Sequence, residues 1–328
     1  MRKWFAKLAR TILVISGFVL IPAHAWADPA PIRVGYGVAA EEQLWLMMAS
    51  PEAAPHKSKV YSMDATRFTG ADKRVQAFEA GALDIATVSA NGAIFAAAEG
   101  VKFKIIASLS RESRRGFYTR FMVKNDSPIK TVADLKGKVI GINGFAGSGH
   151  LWTRIVLRNA GLKESDVTLV PIAFSAQLEA LKSGKIDVGM FPQPFEQMVK
   201  AQGGYRTVYT SKDAAPFEEE LMLLIAKDDY LKKNTATVRA FLSDLVTATR
   251  LYNQDPKAAR KTLIDARQVR ISPDVYLPMT DYYRDPDAAV DVGALEKMQD
   301  AQIQNGFQSK RVDLKSIVDM SYLPGAAK

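Results

Sequence analysis

The sequence predicts an α/β fold built from two copies of one unit. Short apolar segments alternate with helical segments of about ten residues, an order that favours parallel strands. The order restarts near Tyr118. Residues 77–86 align with residues 180–189 at an offset of 103, and both read Ala-apolar-x-small-Gly-x-apolar-Asp-apolar-small. A weaker match relates residues 34–36 to residues 140–142. We therefore expect two similar sheets with helices on both faces.

The first half carries seven elements. Strands are expected over residues 32–37, 60–66, 84–89 and 104–110, and helices over 41–49, 71–80 and 91–98. The helix over 71–80 ends at Gly81, because glycine tolerates the positive φ that turns a chain out of a helix. Asp84 then opens the next strand, which is the order that the repeat shares.

The second half repeats the alternation and adds a helical C-terminal tail. Strands are expected over residues 118–124, 139–143, 167–172, 187–191, 206–210 and 220–226, and helices over 131–135, 148–160, 176–182 and 194–201. Gly137, Gly161 and Gly184 each follow a helix, as caps do. After residue 226 the pattern is helical, over 235–252, 256–266, 273–283 and 292–305.

The first 27 residues have the pattern of a cleaved export signal. Basic residues open the chain, an apolar run covers residues 11–23, and small residues follow at Ala23, Ala25 and Ala27. This order is typical of a secretory signal peptide, and the run is shorter than the roughly 20 residues of a membrane span. We expect cleavage after Ala27, with Ala25 as the alternative, and an exported protein. A retained membrane anchor is the competing interpretation.

Composition narrows the functional classes. The chain has no cysteine, which excludes a thiol nucleophile and a thiolate metal site. Its net charge of +9 is dispersed, without the basic cluster of a nucleic-acid-binding surface. The zinc-protease, nucleophile-elbow, phosphate-loop and dinucleotide motifs are all absent from the sequence. We therefore expect a monomer that is not an enzyme and that uses no cofactor or metal.

The segment from Asn143 to His150 is the strongest binding candidate. It joins a strand to a helix through three glycines and Ser148. Free backbone N–H groups at a helix start attract anions, and glycine lets a ligand approach the backbone closely. The alternative is an ordinary N-cap turn with Ser148 as the cap. We predict that a bulky residue at Gly147 or Gly149 abolishes binding and leaves the fold intact.

Other candidates lie where predicted strands end, because ligands of open parallel sheets sit outside the carboxyl ends of the strands. Tyr36 could stack on a ligand or cover the domain edge, and Arg67 could pair with an anion or stay solvated. Asn91 could donate to a ligand or cap a helix, and His150 could contact the ligand or face water. The full set of predicted ligand-binding residues is Tyr36, Arg67, Thr69, Ser89, Asn91, Gly147, Ser148, Gly149, His150 and Gln193.

Several segments resemble the periplasmic substrate-binding proteins of nitrate, sulfonate and taurine ABC importers. They are VQAFEAGALDIA at 75–86, IKTVADLKGKVIG at 129–141, Gly147-Ser-Gly149 and LKSGKIDV at 181–188. The resemblance spans the chain after residue 27. One branch of this family carries out pyrimidine synthesis with histidine and cysteine, and the lack of cysteine argues against it here. The loop at residues 89–91 lacks the Gly/Pro-rich character expected of sulfonate binders.

The resemblance implies a type II-like, two-lobe fold with two crossover strands and hinges near residues 116–118 and 216–220. Lobe 1 would comprise residues 28–118 and 222–328, and lobe 2 residues 119–221. The lobes would close on a small anion, a sulfonate, a carboxylate or nitrate, and deliver it in the periplasm to an ABC transporter permease. The alternatives are an exported enzyme on the same scaffold and a sensory protein that presents its ligand to a membrane receptor.

Overall fold

The computed structural model describes residues 28–325. The strands are β1 (Ala30–Tyr36), β2 (Tyr61–Arg67), β3 (Ile85–Ser89), β4 (Lys104–Glu112), β5 (Arg120–Lys124), β6 (Val139–Ile142), β7 (Thr168–Pro171), β8 (Gly189–Phe191), β9 (Tyr205–Thr210) and β10 (Glu219–Ala226). The helices are α1 (Glu42–Ala49), α2 (Ala71–Glu79), α3 (Ala90–Ala98), α4 (Ser148–Asn159), α5 (Phe174–Lys182), α6 (Phe195–Gln202), α7 (Ser211–Ala214), α8 (Asp228–Lys233), α9 (Thr235–Gln254), α10 (Pro256–Asp265), α11 (Pro273–Tyr276), α12 (Val292–Gln304) and α13 (Leu314–Ile317). Two 3-10 turns cover Val132–Leu135 and Glu164–Asp166.

The strands form two sheets with the same internal order. In the first sheet, β2, β1 and β3 are parallel, and β10 lies antiparallel between β3 and β4. In the second, β6 and β7 are parallel, while β8, β5 and β9 are antiparallel neighbours. A parallel bridge between Ile140 and Val188 joins these groups, giving the order β7-β6-β8-β5-β9. The expected pair of doubly wound sheets is confirmed, and each sheet receives one antiparallel strand after a crossover.

The repeated aspartate has the same role in both sheets. Asp84 accepts a hydrogen bond from the backbone N–H of Arg33 at 2.9 Å, and Asp187 accepts one from the N–H of Val139 at 2.8 Å. Each carboxylate therefore ties the start of a parallel strand to the chain that opens its neighbour. The preceding glycines, Gly81 and Gly184, have φ values of 78° and 73°, where a side chain would be strained.

The weaker sequence match, between residues 34–36 and 140–142, is explained by packing. A Cβ added at Gly35 in β1 would overlap the side chain of Leu83, and one at Gly141 in β6 would lie 2.8 Å from Ile186. Leu83 and Ile186 occupy the same position in the two repeats. The missing side chain at each glycine leaves space for the residue that precedes the aspartate.

The C-terminal helices pack on the first sheet and its flanking helices. Helix α9 buries Val238, Phe241, Leu242 and Leu245 and packs against α1. Asp244 on the same helix accepts hydrogen bonds from the Tyr61 hydroxyl at 2.7 Å and from the His56 backbone at 3.1 Å. These contacts are consistent with the helical tail that was expected.

The helix predicted over residues 273–283 is wrong beyond its first turn. Helix α11 ends at Tyr276, because Pro278 cannot continue a helix. The following chain instead runs beside β4. The N–H of Arg111 donates to the carbonyl of Tyr283 at 2.9 Å, and the N–H of Ser108 donates to Ala288 at 2.9 Å.

The export signal expected over residues 1–27 lies outside the described residues. Within residues 28–325, no helix is long and apolar enough to cross a membrane.

Two crossover segments connect the sheets. The first crossover covers residues 113–119, between β4 and β5, and the second covers residues 211–218, between β9 and β10. The first crossover packs on the segment after α11, where the N–H of Phe117 donates to the Asp281 carbonyl at 2.7 Å. A Cβ at Gly116 would lie 2.6 Å from the Asp281 carbonyl oxygen and 2.8 Å from the Tyr283 nitrogen. The glycine is therefore required by the backbone beside it.

We expect Gly116→Ala to lower the free energy of unfolding by about 1–3 kcal/mol, the usual cost of overpacking a site that cannot give way. Chemical denaturation of the chain from residue 28 measures this. Gly144→Ala is the matched control, because no atom lies within 4 Å of its added Cβ. Equal stability of the two variants would contradict the packing argument.

Candidate ligand-binding site

A cleft lies between the two sheets, and five helices begin at its wall. The lining includes the N-cap residues of α1, α2, α3, α4 and α5, which are Glu41, Gly70, Ser89, Gly147 and Ala173. The cleft encloses about 930 Å³ of empty space, including its open mouth. Each helix follows a strand that runs toward the cleft, so the arrangement follows from strand direction.

Most of these helix starts have free donors. A side chain caps only α3 among the five, where the Ser89 hydroxyl accepts from the Gly92 N–H at 3.2 Å. No side-chain cap is present at α1, α2, α4 or α5. Unpaired N–H groups and the partial positive charge of each helix start favour a negative charge in the cleft.

The loop before α4 reaches into the cleft. Asn143, Gly144, Phe145, Gly147 and Ser148 all line the cleft. The Phe145 ring is 53% exposed, an unusual position for a large aromatic side chain. A Cβ at Gly147 would meet nothing closer than 3.8 Å, so this position borders open space.

His150 supports this loop from behind. Its Nδ1 accepts a hydrogen bond from the N–H of Ala146 at 3.1 Å, and its Nε2 lies 3.1 Å from a carboxylate oxygen of Glu164. The ring also packs against Phe145 and Phe307. Burial lowers the pKa of His150, and Glu164 opposes that effect. The histidine is 7% exposed, so it neither lines the cleft nor faces water.

Arg74 is the cation of the cleft. It lines the wall and is 5% exposed, yet its Nη1 lies 3.8 Å from the nearest carboxylate oxygen, that of Glu41. Its Nε has no acceptor among the described residues. Burial lowers the pKa of Arg74, and the Glu41 charge raises it. A buried guanidinium with spare donors suits an acidic ligand group.

Glu41 forms its hydrogen bonds within its own lobe. Its carboxylate accepts from the N–H of Gly37 and from the Thr87 hydroxyl, each at 2.8 Å. Burial is the main influence on its pKa, which is raised. A Cβ at Gly37 would lie 2.5 Å from the Arg74 guanidinium and 2.7 Å from Glu41. The glycine therefore lets these two side chains meet at the cleft wall.

The structure places four predicted residues on the cleft wall: Thr69, Ser89, Gly147 and Ser148. Arg67 lies with Thr69 in an adjoining cavity. Tyr36, Asn91, Gly149, His150 and Gln193 do not line the cleft. Gly149 faces Met190, which a Cβ at that position would overlap. Only Gly147 of the two loop glycines therefore tests binding without disturbing the packing.

Asn91 and Gln193 form hydrogen bonds that connect the elements around the cleft. The Asn91 amide donates to the Ser148 hydroxyl at 3.1 Å and accepts from Gln302 at 2.8 Å, so it bonds α3 to both α4 and α12. Gln193 donates through its side chain to Glu196 at 3.2 Å, and its backbone N–H donates to the Tyr282 hydroxyl. Both side chains are buried.

The floor of the cleft rests on the crossovers. Glu112, at the end of β4, accepts from the Thr119 hydroxyl at 2.5 Å and from the Ser211 hydroxyl at 2.6 Å. It is paired in the sheet with Glu219, at the start of β10. Thr119 itself lines the cleft. One buried carboxylate therefore connects both crossovers to the ligand space.

Glu219 lies beside Glu112 at the floor of the cleft and pairs with the ammonium group of Lys212. It accepts from Trp152 Nε1 at 3.1 Å and from Lys212 Nζ at 3.2 Å, and Trp152 lines the cleft. Burial raises the pKa of Glu219 to about 7, the Lys212 charge lowers it, and the Glu112 charge adds to the increase. Protonation of this carboxyl therefore falls in the physiological range.

Sequence reasoning missed Arg74, Glu41 and Glu219. A signal existed for Arg74, because it lies four residues before the buried Phe78 and so shares the apolar face of α2. An arginine on that face must either pair or reach a cavity. Glu41 and Glu219 stand at strand and helix ends, and their burial depends on chain segments distant in sequence.

Between residues 28 and 325, His, Asp and Glu side chains do not assemble into any group of three that could hold a metal ion. Arg74 and the uncapped helix starts supply donors suited to an anion, and the acidic residues of the lining are Glu41 and Asp72.

The two lobes, the crossover strands and the cleft between them define a periplasmic-binding-protein fold. The model of the family "NMT1/THI5 like" matches residues 66–259, and the chain belongs to that family. The resemblance drawn from the sequence motifs is thereby confirmed.

Relatives of known name agree with this assignment. A protein of Brucella abortus named as a binding protein is 29% identical over 262 residues, which cover 76% of this chain and 75% of that protein. A protein of Escherichia coli named as an aliphatic sulfonates-binding protein is 25% identical, with 73% of each chain covered.

Solved structures share the fold. The periplasmic aliphatic sulphonate binding protein SsuA from Escherichia coli superposes with a TM-score of 0.69 at 21% identity, over 90% of this chain and 99% of that one. The periplasmic nitrate-binding protein NrtA from Synechocystis gives 0.73 at 10% identity, over 90% and 87%.

We expect Gly147→Leu to abolish ligand binding with little loss of stability, because its side chain would project into the cleft from an unstrained backbone with φ of −91°. Isothermal titration with the ligand measures the loss of binding, and thermal unfolding of the free protein measures the change in stability. Gly147→Ala is the graded control and should retain weaker binding. Wild-type affinity in Gly147→Leu would show that this loop does not hold the ligand.

The raised pKa of Glu219 predicts a stability that falls as pH rises. Between the ordinary glutamate value of 4.5 and about 7, the folded protein binds more protons at this site than the unfolded chain. The contribution is therefore complete below pH 4.5 and lost above pH 7, a change on the order of 3 kcal/mol. Glu219→Gln should remove that slope in denaturation measured from pH 5 to 8.

The half-buried neighbour Glu218, which pairs with the exposed Arg115, supplies the matched control. Glu218→Gln should keep the pH dependence of the wild-type protein. Parallel pH profiles for wild type and Glu219→Gln would show that this carboxyl does not titrate in the window.

Proposed function

We propose that the protein is the solute-binding component of an ABC importer and captures a small organic anion in the inter-lobe cleft. It would act in the periplasm and deliver its ligand to a membrane permease. Membership of the family, together with the named binding proteins among its relatives, supports the binding role. The ligand class is argued from the cleft itself.

The observation that carries the proposal is the convergence of helix starts on a buried, incompletely paired arginine. Four uncapped helices and Arg74 present donors to one space. Two acidic residues also line that space. The Glu41 oxygens already accept hydrogen bonds within lobe 1, and Asp72 is an exposed residue in the first turn of α2. A sulfonate or carboxylate would satisfy the remaining donors, and a cationic ligand would not.

Contacts between the lobes are consistent with capture by closure. The Asn91–Ser148 bond spans the cleft beside the glycine loop. Further along α4, Arg154 and Arg158 donate to the carbonyls of Asn305 and Gln304 at 3.0 and 2.8 Å. These few polar bonds can break and re-form, so a ligand that touches both lobes would shift the protein toward the closed state.

The experiment is a thermal-shift screen of the chain from residue 28 against sulfonates, carboxylates, nitrate and cationic amines. A ligand at 100 times its dissociation constant adds about 2.7 kcal/mol, which raises the melting temperature by several degrees. We expect organic anions to stabilise the protein and cations to have no effect. Analysis of each recovered ligand separates capture from turnover, since an enzyme would alter its substrate.

Arg74→Gln tests the site within that screen. We expect the affinity for the stabilising anion to fall at least about tenfold, because a charge-assisted bond in a buried site is lost. Arg239→Gln is the control, since Arg239 is an exposed residue on α9 that does not line the cleft. Stabilisation by cations alone, or undiminished anion binding by Arg74→Gln, would refute the proposed ligand class.

A further inference from the structure

A second cavity adjoins the cleft. We call it the outer compartment and define it by Trp45, Arg67, Phe195, Met198, Arg270 and Ile271. It shares Val38, Thr69, Ala173 and Phe174 with the wall of the inner cleft. Its empty space is about 990 Å³, including the open mouth. The two cavities therefore adjoin at these four residues, next to the space that Arg74 lines.

Apolar side chains from both lobes form the walls of this compartment. Phe174 and Phe195 pack together with ring centroids 5.6 Å apart, and both remain partly exposed. Met198 is among the few large apolar side chains left exposed within residues 28–325. Such a surface favours a hydrocarbon chain or an aromatic ring over a compact hydrated ion.

The charge of the outer compartment is unbalanced. Arg67 and Arg270 line it, and no acidic residue does. Neither arginine forms an ion pair with any residue between 28 and 325. The inner cleft differs, because Glu41 and Asp72 line it together with Arg74.

Trp45 adds a buried donor to this compartment. The side chain is 2% exposed, and its indole N–H has no acceptor among the described residues. A buried indole N–H normally finds a partner, so this one marks a place for an acceptor supplied by a ligand.

We propose that the ligand is a two-ended organic anion. One acidic group lies at Arg74 and the helix starts, an apolar body lies along Phe174, and a second acidic group lies in the outer compartment near Arg67, Arg270 and Trp45. This inference rests on the proposed function and narrows its ligand class. It favours dicarboxylates and carboxylate-sulfonates over nitrate, taurine-sized ions and simple monoacids.

Titration calorimetry with two matched series tests the inference. The probes are straight-chain α,ω-dicarboxylates from four to twelve carbons and monocarboxylates of the same lengths. We expect one dicarboxylate length to bind at least about tenfold more tightly than its monocarboxylate partner, since a second charged group gains its own partners. Equal affinity of the two series at every length would overturn the inference.

Variants locate the second acidic group. Arg67→Gln and Arg270→Gln should each weaken the preferred dicarboxylate by about three- to tenfold, as expected for one partly exposed ion pair, and leave the monocarboxylate within about twofold. Trp45→Phe keeps an aromatic ring but removes the indole N–H donor, and it should likewise weaken binding of the preferred dicarboxylate. Because both arginines are exposed, their variants are expected to fold even where Trp45→Phe does not.

Lys310→Gln distinguishes binding at a local site from general electrostatic attraction to the positively charged protein. Lys310 is exposed and lines neither compartment, so its loss should leave the dicarboxylate preference unchanged. An equal loss in this variant would attribute the preference to net charge and refute the site. Dicarboxylate binding that depends on Arg74 but not on Arg67 or Arg270 would refute this inference alone. Absence of binding by every anion would overturn the proposed function as well.

Discussion

Strand direction is the constraint on which the site depends. In each lobe the parallel strands run toward the gap between the sheets, so the helices that follow them must begin there. Five helix starts therefore surround one space. Their backbone N–H groups give that space a partial positive character that does not depend on which side chains line it. Arg74 adds a formal charge to a cleft that the backbone has already made attractive to anions.

Most of the architecture could be predicted because its determinants are local and repeated. The Gly-x-x-Asp segment encodes a helix end, a strand start and the hydrogen bond that joins two strands, all within a few residues. The failure at residues 277–283 has a non-local cause. That segment has helical periodicity, but Pro278 breaks it. The Tyr283 carbonyl then accepts from Arg111 of β4, about 170 residues earlier in the chain.

The site was predictable in its loops and not in its side chains. Thr69, Ser89, Gly147 and Ser148 reach the cleft because strand ends place their backbone there. Side-chain direction depends on packing that sequence spacing does not show. Asn91 and His150 lie in or beside the same loops, yet they turn inward and hold Ser148 and Ala146 in place. Arg74 lies within a helix, where only its burial reveals its role.

Under the proposed function, ligand binding and lobe closure would involve the same residues at the floor of the cleft. Trp152 and Thr119 line the cleft and donate to Glu219 and Glu112, respectively. Glu112 lies where β4 enters the first crossover, and Glu219 lies where β10 leaves the second. A ligand that contacts either donor therefore acts directly on the segments about which the lobes would turn. Coupling of this kind is reciprocal, so under that proposal the charge state of the floor would also influence how tightly the closed lobes hold the ligand.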